Sequence, residues 1–252
     1  MTAQLDLLRA IAGTAARARV ESANTFPMGT GIASSASAFA ALTVAAAAAL
    51  GLDLDERALT TIARRGSGSA ARSVPDGFVR WRAAATDAGS FAESIAPADH
   101  WALHDVVAVV SRAHKAVASG GGHAVAPTSP LFAERIARLP RRLAAVCDAI
   151  AARDLAALGP EIEAEALELH AVALTGRPSV LYWDGATVEL LHAVRRWRDA
   201  GLAAWFTLDA GPNVHILCAA ADAPAVLAEL ARLSYVEQTL DNAPADGARV
   251  VA

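Results

Sequence analysis

The chain has 252 residues, a formal net charge of −4, a sequence pI near 6.0 and 54% hydrophobic residues. This composition excludes an intrinsically disordered chain, and the length suffices to bury a sizeable core in one large domain or two small ones. The acidic balance gives no overall attraction to nucleic acid or to an anionic membrane, so any anion site must be local.

The predicted elements begin with a helix over residues 3–18, where apolar residues recur at helical spacing. A short strand is predicted at Arg17–Ser22. A glycine loop then leads into an alanine-rich helix from about Ser35 to Leu50, and Gly51 is suited to end it. The N-terminal region therefore reads as helix, strand, loop and helix.

The middle of the chain continues with a helix that Asp53 or Asp55 can cap and that extends to Arg65. Strands are predicted at Gly77–Trp81 and Phe91–Ile95. A buried strand follows over residues 103–111, and further helices are predicted over residues 128–138, 140–152, 154–173, 186–200 and 222–233.

Two strands near the C-terminus, residues 203–208 and 214–219, flank a tight turn and form a predicted hairpin, and a last strand is predicted near residues 248–251. Helices and strands alternate without a regular βαβ rhythm. We therefore predict an α+β fold in two lobes, with residues 1–100 in the first and residues 101–252 in the second.

No apolar run is long enough to span a bilayer, and the N-terminus lacks the basic start and apolar stretch of a signal peptide. Cys147 and Cys218 lie far apart and show no metal-ligand spacing. We interpret both as buried small hydrophobic residues in a reducing compartment. The prediction is a cytoplasmic protein that binds neither membrane nor nucleic acid.

A glycine- and serine-rich loop, Pro27–Ser37, runs directly into the first long helix. That arrangement offers free backbone N–H groups and the positive end of a helix to an anion such as phosphate. It is not a Walker A sequence, because no Gly-Lys-Ser/Thr follows. The alternative is an ordinary helix start in which Ser34 or Ser35 is the N-cap.

A second polar segment, Arg65–Ser73, contains the hydroxyls of Ser67 and Ser69 and the guanidinium of Arg72. These groups suit phosphate and carboxylate ligands. The alternative is a Gly-Ser-Gly turn that joins two elements, with Arg72 as a surface charge.

A third segment, Thr207–Asn213, places the carboxylate of Asp209 in a tight turn after an apolar run, where a catalytic acid or base can be held. Asp-Ala-Gly-Pro is also good turn sequence without any function. A fourth candidate, Ser111–His123, combines hydroxyl, imidazole, ammonium and glycines, and Lys115 in it is the only lysine of the chain. Taken together, the segments indicate phosphoryl chemistry on a small anionic substrate.

These motifs resemble the mevalonate diphosphate decarboxylase family of the GHMP kinase superfamily. Asn24–Ala36 is similar to the family pattern Asn-Asn-Phe-Pro-x-x-x-Gly-Leu-Ala-Ser-Ser-Ala, with Thr25 and Ile32 as variations. Arg64–Ser73 is similar to Arg-x-Gly-Ser-Gly-Ser-Ala-x-Arg-Ser, and Asp209–Asn213 is similar to Asp-Ala-Gly-Pro-Asn. The resemblance implies a ribosomal protein S5 domain 2-like N-lobe, here incomplete, and a ferredoxin-like α/β sandwich as C-lobe.

The resemblance also implies ATP-dependent decarboxylation of 5-phosphomevalonate or 5-diphosphomevalonate, with Mg²⁺ accompanying ATP and no confident metal ligand from the protein. Asp209 would activate the 3-hydroxyl for attack on the γ-phosphate, and Arg72 would hold the substrate carboxylate. The remaining implied contacts are Ser67, Ser69, Ser119 and Lys115 to the substrate, and Gly29, Gly31, Ser34 and Ser35 to the ATP phosphates. We expect Asp209, Arg72 and Ser35 to converge on one cleft. The family is often dimeric, so a homodimer stays open.

The sequence departs from the family pattern in two places. The segment Val117–His123, preceded by His114 and Lys115, is more similar to relatives that act on 5-phosphomevalonate, which makes the monophosphate the first-choice substrate. Family members also carry a segment before residue 1 with the first strands and an Asn/Tyr/Lys motif. We therefore expect a truncated product, a late start or a split gene, an exposed sheet edge and little decarboxylase activity from residues 1–252 alone.

Two alternatives to the decarboxylase remain. One is a kinase of the same fold that phosphorylates the 3-hydroxyl without decarboxylation, which the presence of both Arg72 and Asp209 disfavours. The other is a non-catalytic remnant or interaction subunit, which the missing segment favours.

Overall fold

The structure of the protein is a computed structural model that describes residues 1–113, residue 117 and residues 119–251, without the side chain of Ser119. The chain divides into two compact units. The first unit comprises residues 1–28, 33–100 and 244–252, and the second comprises residues 29–32 and 101–243. The assignment of residues 1–100 and 101–252 to two functional lobes stays a prediction.

The described residues of the first unit form three α-helices, two 3₁₀ helices and an antiparallel pair of strands. They are α1 (Thr2–Ala12), α2 (Ser34–Ala49), α3 (Glu56–Gly66), the 3₁₀ helices Gly68–Ser73 and Ala98–His100, β1 (Phe78–Trp81) and β2 (Ala92–Ala96). Asp55 is the N-cap of α3 and accepts a hydrogen bond from the Ala58 N–H at 2.7 Å. The predicted helices and strands from Ser35 to Ile95 are therefore confirmed, with Asp55 as the cap.

The elements of the second unit are β3 (Leu103–Val109), α4 (Ser119–Val125), the 3₁₀ helix Ala126–Thr128, α5 (Phe132–Ala152), α6 (Leu155–Thr175), α7 (Gly185–Asp199), β4 (Ala204–Thr207), β5 (Val214–Ala219), α8 (Ala223–Ala231) and β6 (Gln238–Asn242). Its strands form a four-stranded antiparallel sheet in the order β4-β5-β3-β6. Alternate residues of the strands, such as Val106, Phe206 and Ile216, form one core with Leu190 of α7 and Leu230 of α8. The prediction of an α+β fold is confirmed.

The predicted N-terminal helix and the strand after it need correction. Helix α1 ends at Ala12, because Gly13 adopts the left-handed conformation (φ 62°) and its N–H bonds back to the Ala10 carbonyl. The predicted strand at Arg17–Ser22 is wrong, since this exposed segment pairs with no strand in the part of the chain that the structure describes.

The predicted break between two helices at Pro140 is also wrong. Pro140 lies inside the continuous helix α5, although a proline inside a helix costs about 3 kcal/mol or more. Helix α5 packs along α6, and Arg142 bonds Glu161, Glu165 and Glu168 of that helix at 3.2, 3.0 and 2.7 Å. These contacts on the far side of the proline keep the helix in one piece.

The last strand lies earlier than the sequence predicts. Strand β6 (Gln238–Asn242) pairs with β3, whereas residues 248–251 form no strand. The chain after residue 243 belongs to the first unit, where the Ala245 carbonyl accepts the Gly77 N–H at 2.9 Å and the Ala248 N–H bonds the Ser73 carbonyl at 3.0 Å. We call residues 244–251 the C-terminal tail.

No helix in the described part of the chain is long and apolar enough to cross a membrane. Cys147 and Cys218 are both free thiols. Cys218 is fully buried, and burial raises its pKa to about 12, as expected for an inert core thiol. Cys147 is only partly buried, so the prediction of burial is correct for Cys218 alone.

Candidate functional site

The predicted phosphate- and carboxylate-binding serines of the first unit lie in hydrogen-bonding range of one another. Ser35 is in the first turn of α2, and its hydroxyl lies 3.1 Å from that of Ser67, just after α3. The hydroxyls of Ser67 and Ser69 lie 3.4 Å apart. We call these three residues the serine cluster. The two helices come this close because the Phe39 ring occupies the space where a side chain at position 66 would be.

Arg72 lies in the same 3₁₀ helix as Ser69 and is exposed to solvent. Its neighbours Ala70 and Ala71 are fully buried, so the small residues anchor the turn while the polar ones face outward. No carboxylate of the described residues neutralises the guanidinium. An exposed guanidinium on the same short helix as a serine hydroxyl can contribute to binding an anionic group.

The start of helix α2 is not an ordinary capped N-terminus. Ala33 occupies the N-cap position in the left-handed conformation (φ 57°), and its methyl side chain cannot accept a hydrogen bond from the helix. The interpretation of Ser34 or Ser35 as the N-cap is therefore wrong. Because the N-cap residue itself offers no acceptor, the positive end of the helix suits a phosphate group.

Asp209 lies in the second unit, in the turn between β4 and β5, and is exposed. Its backbone carbonyl accepts two hydrogen bonds, one from the Gly211 N–H at 2.8 Å and one from the His170 Nε2–H at 3.1 Å. The backbone of this residue is therefore restrained while its carboxylate faces solvent. An exposed carboxylate on a restrained backbone can take a proton from a bound ligand.

The other end of the same turn is held by Thr187 and Asn213, which are both fully buried. The Thr187 hydroxyl donates to the Pro212 carbonyl at 2.7 Å and also completes a capping box with Asp184 at the start of α7. The turn is thereby anchored to the N-terminus of a core helix.

Asn213 satisfies its whole side-chain amide inside the protein. Its oxygen accepts the N–H groups of Val110 and Ser111 at 2.8 and 3.1 Å. Its nitrogen donates to the carbonyls of Thr30 and Ser111 at 2.7 and 3.1 Å. One buried side chain thus joins the Asp209 turn, the end of β3 and the glycine loop.

Gly31 and Gly211 lie against each other with no room for a side chain. A Cβ on Gly31 would lie 2.5 Å from the Gly211 Cα, and the reverse substitution would meet the Gly31 Cα at the same distance. Gly31 also has φ 89°, which L-residues with a Cβ rarely adopt. A backbone contact between the glycine loop and the Asp209 turn therefore explains why glycine is required at positions 31 and 211.

His170, which the sequence analysis did not select, is the buried partner of the Asp209 backbone. It lies on α6 with 1% of its surface exposed, and burial lowers its pKa to about 4. No local sequence signal marks it, because a lone histidine in a helix has no motif. Asn213 was part of a quoted motif, but its role follows only from the contacts.

The predicted site residues are divided between the two compact units. The first unit holds Ser34, Ser35, Ser67, Ser69 and Arg72, and the second holds Gly29, Gly31 and Asp209. Lys115 lies outside the described residues, and so does the side chain of Ser119. The convergence of Asp209, Arg72 and Ser35 on one cleft stays a prediction. Within the described residues, no three His, Cys, Asp or Glu side chains are placed to hold a metal ion.

A glycine loop joined by a buried amide to the turn of an exposed carboxylate, in an α+β fold, is what the GHMP kinase class leads us to expect. Two family models match the chain. The model described as "Diphosphomevalonate decarboxylase-like N-terminal domain" matches residues 1–92, and the one described as "Mevalonate 5-diphosphate decarboxylase C-terminal domain" matches residues 105–249. The chain belongs to the mevalonate 5-diphosphate decarboxylase family.

The similarity of the chain to named relatives supports this family assignment. The chain is 39% identical over 206 residues to diphosphomevalonate decarboxylase mvd1 of Aspergillus fumigatus, covering 79% of this chain and 51% of the relative. It is 35% identical over 215 residues to the phosphomevalonate decarboxylase of Haloferax volcanii, covering 85% and 65%. The chain thus spans about half the length of the first of these relatives.

A solved structure of a family member has the same fold. The structure described as MDDEF in complex with MVAPP, AMPPCP and magnesium is 35% identical, with a TM-score of 0.91 over 98% of this chain and 76% of that chain. The prediction of the GHMP kinase fold is therefore confirmed.

Proposed function

We propose that this chain supplies the catalytic and anion-binding groups of an ATP-dependent decarboxylase that acts on phosphorylated mevalonate. Asp209 accepts the proton of the substrate 3-hydroxyl as that oxygen attacks the γ-phosphorus of ATP and ADP departs. The 3-phosphate then leaves with the C–O bond pair, while the C–C pair of the departing CO₂ forms the double bond of an isopentenyl product.

The observation that carries this proposal is the hydrogen bonding of Asn213. Through it, the turn that presents Asp209 is held against Thr30 of the glycine loop at 2.7 Å, inside one compact unit. A base and a phosphate-binding loop held in a constant relation are what phosphoryl transfer requires, since its catalysis is mostly positioning and charge stabilisation. A turn without such a role would not need an internal amide bonded to two distant backbone segments, at Thr30 and at Val110–Ser111.

The groups of the first unit take the anionic parts of the reactants in this proposal. Arg72 binds the substrate carboxylate, because its exposed guanidinium can form a bidentate pair. Ser67 and Ser69 bind substrate oxygens. Ser34, Ser35 and the glycine loop residues Gly29 and Gly31 bind the ATP phosphates at the start of α2.

Magnesium enters this proposal with the nucleotide, since the related MDDEF structure is described with AMPPCP and magnesium. The phosphates of the nucleotide would supply most of the oxygen ligands of the ion, since Mg²⁺ commonly binds substrate phosphates, and no protein ligand is assigned to it. When bound, the ion neutralises phosphate charge. Lys115 and Ser119 as substrate contacts, a cytoplasmic location and a homodimer stay predictions.

The proposal leaves two candidate substrates, which differ in the number of phosphate groups that they carry. The named relatives include decarboxylases of diphosphomevalonate and one of phosphomevalonate. The segment Val117–His123 favours the monophosphate, which stays our first choice. A kinase without decarboxylation and a non-catalytic subunit are the competing functions.

One panel of assays separates these functions. ATP turnover and CO₂ release are measured with mevalonate, its 5-phosphate and its 5-diphosphate as substrates. The assays are made on a longer protein that contains residues 1–252, for which we expect stoichiometric ADP, phosphate and CO₂ with one of the two phosphorylated substrates, and on residues 1–252 alone, for which we expect little turnover. ADP with a stable phosphate ester and no CO₂ from the longer protein would show the kinase instead, and no turnover by it with any substrate would contradict the decarboxylase.

A further inference from the structure

His170 is a buried histidine whose hydrogen-bond partner among the described residues is the backbone of the proposed general base. Its Nε2 lies 3.1 Å from the carbonyl oxygen of Asp209. A carbonyl oxygen can only accept a hydrogen bond, so Nε2 must carry the hydrogen. With its pKa lowered by burial, the ring is neutral near pH 7, and this contact selects the Nε2–H tautomer.

The imidazole is restrained by neighbouring rings as well as by that hydrogen bond. The Tyr182 ring meets it edge-on, with centroids 5.8 Å apart and an interplanar angle of 86°. The Trp183 ring lies 4.9 Å away at 38°. Because His170 itself lies on helix α6, its Nε2–H is a rigid donor directed at the Asp209 peptide.

We propose that His170 is a positioning residue, whose hydrogen bond sets the orientation of the peptide between Asp209 and Ala210 and thereby the direction of the Asp209 carboxylate. The Cα of Asp209 is bonded to the restrained carbonyl carbon, so a displacement of that carbonyl moves the Cα and, with it, the side chain that carries the carboxylate. This inference rests on the proposed function, since it affects turnover only if Asp209 is the base.

A role in packing alone does not explain the residue. A phenyl ring would fill the same space between Tyr182 and Trp183 without burying polar nitrogens, which costs free energy unless they are bonded. The Gly211 N–H also bonds the Asp209 carbonyl at 2.8 Å, so the turn stays closed without His170. The imidazole therefore fixes the orientation of the Asp209 carbonyl in a turn that would form without it.

The test compares His170→Phe with His170→Gln, and Tyr182→Phe serves as the matched control. Phe keeps the ring but has no donor, whereas the Gln amide nitrogen can reach a position similar to Nε2. We expect kcat of His170→Phe to fall about tenfold to hundredfold with KM values for both substrates within about twofold. His170→Gln should recover most of that loss. Tyr182→Phe removes a buried hydroxyl that has no partner among the described residues, so its kcat should match wild type.

A wild-type kcat for His170→Phe, or equal kcat losses for folded Phe and Gln variants, would overturn the proposal. A loss of activity that follows melting temperature across the variants would also overturn it, because that pattern marks a structural role. If wild type shows no turnover, the proposed function fails, and amide exchange of Gly211 tests the positioning separately. Exchange should be faster in His170→Phe than in His170→Gln, and equal rates would contradict the inference.

Discussion

The turn that carries Arg72 and the turn that carries Asp209 both present a charged side chain to solvent, but different contacts hold them. The Arg72 turn rests on small buried residues, Ala70 and Ala71, and on a backbone hydrogen bond from Ala248 of the C-terminal tail to the Ser73 carbonyl. The Asp209 turn is held instead by buried polar side chains.

Those side chains act on the backbone of the Asp209 turn at three places. His170 bonds the Asp209 carbonyl, Thr187 bonds the Pro212 carbonyl, and Asn213 bonds the glycine loop and β3. Packing of small residues limits the space that neighbouring atoms can occupy, whereas buried hydrogen bonds also fix the orientation of the groups that they join. We infer that loss of buried donors weakens the Asp209 turn more than the Arg72 turn, whereas added atoms disturb both, and the following predictions test that difference.

The largest effect is expected for the carboxylate itself. Asp209→Asn preserves shape but cannot take a proton, so kcat should fall by ~10²–10⁴-fold while ATP affinity changes little. Asp199→Asn at the exposed end of α7 is the control and should behave as wild type. Turnover is measured at saturating ATP with the preferred mevalonate phosphate. Near-normal kcat for Asp209→Asn would show that another group is the base.

Loss of donors in the Asp209 turn should strongly reduce stability. In Asn213→Asp, the carbonyls of Thr30 and Ser111 lose their donor, and each unsatisfied buried group costs about 1–3 kcal/mol. We expect the free energy of unfolding to fall by about 2–6 kcal/mol.

Asn242→Asp is the matched control for that change. The Asn242 amide also donates to two carbonyls, of Asp105 and Leu240, but it is exposed, so water can replace it. Urea unfolding of both variants gives the comparison. Equal losses of stability would contradict the claim that burial of the Asn213 amide makes it important.

Acid should lower the free energy of unfolding because the buried His170 resists protonation in the folded state. The folded-state pKa of about 4 lies below the ordinary value of 6.5, so the unfolded chain binds the proton more readily between these values. The stabilisation is present above pH 6.5 and is lost as pH falls towards 4, by at most about 3 kcal/mol in total. His170→Phe should therefore flatten this part of the stability curve.

The exposed His192→Phe is the control for the acid experiment and should keep the wild-type pH dependence. Unfolding free energies are compared at intervals between pH 7 and pH 4. If the wild type and His170→Phe lose stability in parallel, other groups cause the acid sensitivity.

The smallest effect is expected from added volume in the Arg72 turn. A Cβ on Gly247 in the C-terminal tail would collide with the Val74 carbonyl and lie 2.6 Å from the Pro75 carbonyl oxygen. Overpacking costs about 1–3 kcal/mol, so Gly247→Ala should displace the tail and raise the KM for the carboxylate substrate roughly threefold to tenfold. KM for ATP should stay constant.

Gly185→Ala is the control for added volume, because a Cβ there would meet no atom within 4 Å. An unchanged KM in Gly247→Ala would mean that the tail does not position Arg72. An equal rise in both variants would point to a general effect of replacing glycine.

The sequence predicted a helix from about Ser35, a helix from about residue 186 and the hairpin around Asp209, which correspond to α2, α7 and the β4–β5 pair, because these elements are formed by local contacts. The prediction failed at Pro140 and at β6. In both places contacts distant in sequence, with α6 and with β3, decide the structure against the local signal.

By itself, the sequence determined the class of the fold, the three motifs and the residues that carry charge and hydroxyls, since these follow from local pattern and residue chemistry. Only the tertiary structure revealed that Asn213 joins the glycine loop to the Asp209 turn and that His170 directs the Asp209 peptide. These partners are separated by 183 and 39 positions in the chain, and the hydrogen bonds between them exist only once folding has excluded water.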